Sequence, residues 1–81
     1  MEDTQQADIA ELDQLRQAYK DAVEQWITAI RAEENLATPD HTVHAVDVWE
    51  HACTDEEGAR ARAKEARCAY EDELRKVDFN F

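Results

Sequence analysis

The chain has 81 residues and a mass of 9.3 kDa, which allows one small domain, and its 20 acidic and 9 basic residues give a formal net charge of −11. This charge argues against general binding to nucleic acid or to an anionic membrane, because both repel an acidic surface. The sequence contains no apolar run near the ~20 residues that a membrane span needs and no secretory signal pattern, so we expect a cytoplasmic protein.

The first half of the chain has the periodicity of one long helix, predicted at about residues 4–37. Its apolar residues advance in steps of three and four, which places them on one face of a helix, while acidic and amide residues fill the other faces. This apolar stripe consists of Ile9, Leu12, Leu15, Tyr19, Val23, Trp26 and Ile30.

A turn is predicted at about residues 38–40, because Pro39 disfavours helical conformation at the residue before it. Thr38 is then the expected N-cap of a second helix, at about residues 41–77. The second stripe consists of Val46, Trp49, Cys53, Glu56, Ala59, Ala63, Ala66, Tyr70, Leu74 and Val77. A kink at Thr54–Gly58 is an alternative, but the stripe keeps its phase across this segment, which favours one continuous helix. A short C-terminal tail follows, and its two phenylalanine rings can dock on the bundle.

Together these patterns predict an all-α fold, an antiparallel hairpin of two long helices. Folding the chain at residues 38–40 places Trp26 opposite Ala52, Tyr19 opposite Ala59 and Leu15 opposite Ala63. One hairpin cannot cover all of the large apolar side chains, so we expect two copies to pair into a dimeric four-helix bundle. The predicted interface residues are Tyr19, Trp26, Ile30, Trp49 and Tyr70.

The sharpest candidate for chemistry is a polar stripe at the start of helix 2, made of Asp40, His44, Asp47 and His51. Imidazole and carboxylate groups three and four residues apart can bind Zn²⁺ or Ni²⁺, and His41, Glu33 and Glu34 lie near enough to complete a site. The stripe lies on the opposite side of the helix from Trp49, however, which favours an exposed polar face and only weak metal binding.

Three further residues need interpretation because of their positions. Glu56 occupies a core position, and we expect it to turn outward and pair with Arg60 rather than to be a buried carboxylate. Cys53 is predicted to pack as a small apolar group and Cys68 to be accessible. The two cysteines are 15 residues apart, and if one helix holds both, they are too far apart for an intrachain disulfide. We expect two reduced thiols, with an intermolecular disulfide as the alternative.

The sequence therefore favours a small, acidic, non-enzymatic protein–protein interaction module that acts as a homodimer and needs no cofactor. The alternative is a metal-binding or metal-sensing bundle that uses the His/Asp stripe. A third and weaker hypothesis is an acidic mimic that occupies a basic nucleic-acid-binding surface.

Overall fold

A computed structural model describes the backbone of residues 2–79 and the side chains of residues 9–76. It consists of helix α1 (Glu2–Leu36) and helix α2 (Val43–Phe79), joined by a linker at residues 37–42, with no strand in the described part of the chain. The two helices pack side by side in a rod whose Cα atoms span 63 × 17 × 13 Å. The predicted all-α helical hairpin is confirmed.

Side chains in the linker fix where α1 ends and α2 begins. The Ala37 amide donates to the carbonyl of Glu34 at 3.2 Å, three residues back, which tightens the last turn of α1. The Thr42 hydroxyl accepts a hydrogen bond from the Ala45 amide at 3.2 Å, so Thr42 is the N-cap of α2. The prediction that Thr38 caps this helix is wrong. The Asp40 carboxylate accepts from the Thr42 amide at 3.0 Å and holds the linker in a turn until Thr42.

Helix α2 is continuous across Thr54–Gly58, where a kink was the alternative. The Thr54 hydroxyl donates to the carbonyl of Glu50 at 3.2 Å, which is the bond of a residue inside a helix and not of an N-cap. The helix also continues to Phe79, two residues beyond the predicted end. The predicted docking of the C-terminal rings lies outside the described residues.

The contact between the helices, called the seam below, has a very small core. Among the described residues, only Ala52, Ala59 and Ala63 are buried, and no side chain is completely shielded from solvent. On α1 all half-buried positions except Val23 recur every seven residues, as in a coiled coil. One series is Leu12, Tyr19, Trp26 and Glu33, and the other is Leu15, Ala22 and Ala29. Because Ile30 belongs to neither series, it leaves the seam even though it lies on the predicted stripe.

The predicted register of the hairpin is wrong by at least one helical turn. Trp26 reaches Glu56, one turn beyond Ala52. Tyr19 stacks on Tyr70 with ring centroids 6.2 Å apart, about three turns beyond the predicted partner Ala59. The six-residue linker explains the shift, because it lies beside the first turns of α2 and shares a depression with Val46 and Trp49. The first turn of α2 therefore extends past the end of α1, and Val43 is 88% exposed.

Candidate protein-interaction face

The hairpin exposes large apolar side chains mainly near the linker. We call residues 24–57 the hinge half, and residues 9–23 and 58–76 the terminal half. Of the seven large apolar side chains that are exposed among the described residues, only Ile9 belongs to the terminal half. The other six are Ile27, Ile30, Leu36, Val43, Val46 and Trp49. A cluster of this kind on one end of a small protein is the usual mark of an interaction surface.

Three shallow depressions join most of these side chains into one surface. Ile27 and Ile30 line the first depression, together with Arg31 and Glu34. Ile30, Glu34 and Trp49 line the second depression, so both helices contribute to it. Trp49 and Val46 line the third, against the linker. We call this surface the Trp49 face and define it by Ile27, Ile30, Glu34, Val46 and Trp49.

The same half of the molecule holds most of the net negative charge. The hinge half contains nine acidic residues and one basic residue, Arg31, which gives a formal charge of −8. The terminal half contains seven acidic and eight basic residues, which gives a formal charge of +1, and the chain ends at residues 1–8 and 77–81 add four acidic residues. The Trp49 face is therefore apolar at its centre and bordered mainly by carboxylates, with Arg31 beside Glu34.

A polar pair lies in the seam beneath the Trp49 face. The Trp26 indole Nε1 donates a 2.7 Å hydrogen bond to Glu56, whose side chain is only 14% exposed. The expectation that Glu56 turns outward is wrong, because the shifted register provides an indole donor across the seam. The expected pairing with Arg60 does occur, with 3.7 Å between Arg60 Nε and Glu56 Oε2. Sequence reasoning missed the Trp26–Glu56 bond, which only the correct register reveals.

Both cysteines are free thiols, but their surroundings differ. Cys53 is half-buried, and this burial, followed by a hydrogen bond to Glu33, raises the pKa of its thiol. Cys68 is exposed, as its position outside the stripe predicted. We therefore expect Cys53 to remain a protonated thiol at neutral pH.

The structure divides the five predicted interface residues into two groups. Tyr19 and Tyr70 stack on each other within the hairpin, and Trp26 is half-buried and bonded to Glu56, so these three side chains serve the seam of one chain. Ile30 and Trp49 remain 41% and 38% exposed and lie on the Trp49 face. Of the five predicted interface residues, only these two remain exposed and can contact a partner.

The His/Asp stripe is not assembled as four ligands on one helix. Asp40 lies in the linker, where its carboxylate holds the Thr42 amide, because α2 begins only at Val43. The Nδ1 of His51 donates to the carbonyl oxygen of Asp47 at 2.9 Å. This bond, and then the charge of the Asp47 carboxylate, raise the pKa of His51 and favour its protonated form, which binds no metal.

The exposure of this stripe also bears on the metal hypothesis. The side chains of His51 and Asp47 are 77% and 64% exposed. Within the described residues, no group of three or more His, Cys, Asp and Glu side chains is arranged to hold a metal ion. Weak zinc binding stays a prediction, and titration calorimetry of the wild type against the double variant His44→Ala/His51→Ala checks it.

Comparison of the chain with family models, curated proteins and solved structures found no match. In the described part of the chain, neither helix is long and apolar enough to cross a membrane.

Proposed function

We propose that this protein is a non-enzymatic protein–protein interaction module that acts as a homodimeric four-helix bundle. The observation that carries the proposal is the Trp49 face, which exposes Ile27, Ile30, Val46 and Trp49 on one side of the hairpin. Within residues 9–76 the buried residues are all alanines. A second hairpin laid on this face supplies the missing half of a bundle core.

The area of the chain supports a dimer. The hairpin exposes 6405 Å², whereas a compact monomer of 9.3 kDa exposes about 5,000 Å². The excess exceeds the roughly 800 Å² that each partner contributes to a stable protein–protein interface. Covering it once gives the chain a surface typical of a folded protein of this size.

The proposal includes a cytoplasmic location and no nucleic acid or membrane partner. Free thiols such as Cys53 and Cys68 are characteristic of reducing compartments. The formal charge of −8 on the hinge half makes the Trp49 face unsuitable for binding phosphate groups, because like charges repel.

Sedimentation equilibrium at micromolar concentration tests the proposal. We expect a particle of about twice 9.3 kDa that dissociates on dilution. Helicity should decrease as the dimer dissociates, because the hairpin alone buries only alanine side chains completely or nearly so. A monomer that stays fully helical at every concentration would contradict the proposal.

A further inference from the structure

The side of α1 that carries the Trp49 face changes its character along the helix. Ile9, Arg16, Lys20, Ile27 and Glu34 are separated by seven, four, seven and seven residues. Because each step is close to a whole number of helical turns, all five lie on one side of α1. By the same spacing Asp13 and Arg31 also lie on this side, where Asp13 pairs with Arg16. From the terminal half to the hinge half, this side therefore begins with Ile9, carries the cations Arg16 and Lys20, becomes apolar at Ile27 and ends with Arg31 and Glu34.

Helix α2 repeats this order on the same side of the hairpin. Trp49, Arg60 and Arg67 are separated by eleven and seven residues, which again are nearly whole turns. Glu34 and Trp49 line one depression, which places the two stripes together in the hinge half. In the terminal half, Tyr70 stacks on Tyr19 across the seam with ring centroids 6.2 Å apart. Arg67 lies three residues before Tyr70, so it borders the seam on α2.

The continuation of the Trp49 face in the terminal half is thus a basic stripe, which we define by Arg16, Lys20, Arg60, Lys64 and Arg67. Arg16 and Arg67 are engaged by Asp13 and Glu71 at 2.6 and 2.8 Å. Among the described residues, Lys20 and Lys64 have no salt-bridge partner. One side of the hairpin therefore carries an apolar, acidic surface at one end and available cations at the other.

We propose that the partner of the Trp49 face is a second copy in antiparallel orientation, with the hinge half of each copy lying on the basic stripe of the other. This inference rests on the proposed homodimer and specifies its geometry. A two-fold axis near the middle of the rod produces both contacts at once, since such an interface uses the same surface on each copy.

Charge selects this arrangement over a dimer of two hinge halves. Placing hinge half on hinge half brings two regions of −8 together. The antiparallel dimer instead places −8 against the basic stripe, in a region whose formal charge is +1, or −3 when residues 1–8 and 77–81 are included. The apolar surfaces also match, because Ile9 is 51% exposed and lies on the same stripe as Ile27. The aliphatic stems of Lys20 and Lys64 can cover the partner's apolar surface while their ammonium groups meet its carboxylates.

Paired charge reversals on α1 test the orientation by sedimentation equilibrium at low salt. In an antiparallel dimer, Glu34→Lys faces the partner's basic stripe and Lys20→Glu faces the partner's acidic hinge half. Because each substitution acts twice in a symmetric dimer, we expect each to raise the dimer Kd roughly fivefold. An equimolar mixture of the two variants should form heterodimers in preference to either homodimer, as measured by native mass spectrometry.

The matched controls are Asp55→Lys and Arg62→Glu, which make the same changes in charge on residues that line the opposite groove of the hairpin. We expect each control to change Kd by less than twofold, and all four variants should keep the wild-type helicity because the replaced residues are exposed. The effects at residues 20 and 34 should shrink at high salt.

Other outcomes distinguish this inference from the proposed function. If Glu34→Lys tightens the dimer and Lys20→Glu leaves it unchanged, the hinge halves pair with each other and the antiparallel inference is overturned, while the homodimer stands. Larger effects at the control positions than at residues 20 and 34 also overturn the inference, since they place the interface on the opposite groove. A wild-type chain that is monomeric overturns the proposed function itself.

Discussion

The terminal half and the hinge half use the same two helices but close the seam differently. In the terminal half, half-buried leucine and tyrosine side chains lie over buried alanines, and five of the seven salt bridges among the described residues lie there. In the hinge half, the Trp26–Glu56 pair and small residues such as Ala29 and Ala52 form the seam, and Ile30 and Trp49 remain exposed. The difference separates a region that holds one hairpin together from a region that is suited to a partner.

The largest expected effect on stability comes from filling the seam of the terminal half. Ala63 is 3% exposed, so Ala63→Leu should lower the free energy of unfolding by about 1–3 kcal/mol through overpacking. Urea denaturation checks this value. The control is Ala61→Leu, which adds the same side chain at an exposed position of the same helix. Equal urea midpoints for both variants would show that the seam does not tighten at Ala63.

A smaller effect on the free energy of unfolding is expected from breaking the hydrogen bond between Trp26 and Glu56. Trp26→Phe removes the indole donor and leaves the carboxylate of Glu56, 14% exposed, with only Arg60 beside it. We expect a loss of about 1–2 kcal/mol in the free energy of unfolding. A double-mutant cycle with Glu56→Leu isolates the coupling between the two side chains. Additive effects of the two substitutions would contradict the importance of this bond.

The smallest effects are expected from pH, with opposite signs in the two halves. The hydrogen bond from Arg67 lowers the pKa of Glu71 below its ordinary 4.5, so its stabilisation is present above pH 4.5 and is lost as pH falls through the folded value. The pKa of His51 is raised above its ordinary 6.5, so its stabilisation is present below pH 6.5 and is lost as pH rises through the folded value.

Thermal melts of Glu71→Gln and His51→Gln check these signs. Glu71→Gln should reduce the loss of stability below pH 4.5, and His51→Gln should reduce the loss above pH 6.5. Both shifts should be small, because the two side chains are exposed to solvent to a large extent and water screens their interactions. A destabilisation by His51→Gln that is larger at pH 8 than at pH 5 would contradict the assigned sign.

The helices themselves were predictable because periodicity and the position of Pro39 are local signals. The register between the two helices was not predictable, because it depends on which threonine caps α2. Thr38 and Thr42 are both acceptable N-caps by sequence, and the bond between Asp40 and the Thr42 amide decides between them. That choice moves the partner of Trp26 from Ala52 to Glu56.

The candidate face was predictable only in part. The apolar stripe of α1 has steps that drift from the seven-residue repeat of the seam, so Ile30 reads as a core residue in the sequence but lies outside the seam. Trp49 belongs to the apolar stripe of α2 and was therefore predicted to face a partner helix. It stays 38% exposed, because α1 ends at Leu36 and does not extend far enough to cover it. The difference in charge between the two halves can be counted from the sequence alone. Its relevance to an interface depends on the structure, which places the stripes of α1 and α2 on the same side of the hairpin.

The most direct test of the central claim compares Trp49→Glu with His51→Glu by sedimentation equilibrium. Both substitutions place one carboxylate at an exposed position of α2, two residues apart, but only Trp49 lies on the proposed interface. We predict that Trp49→Glu yields monomers at concentrations where the wild type and His51→Glu are dimers of about twice 9.3 kDa. Dimers of equal strength for both variants would contradict the account.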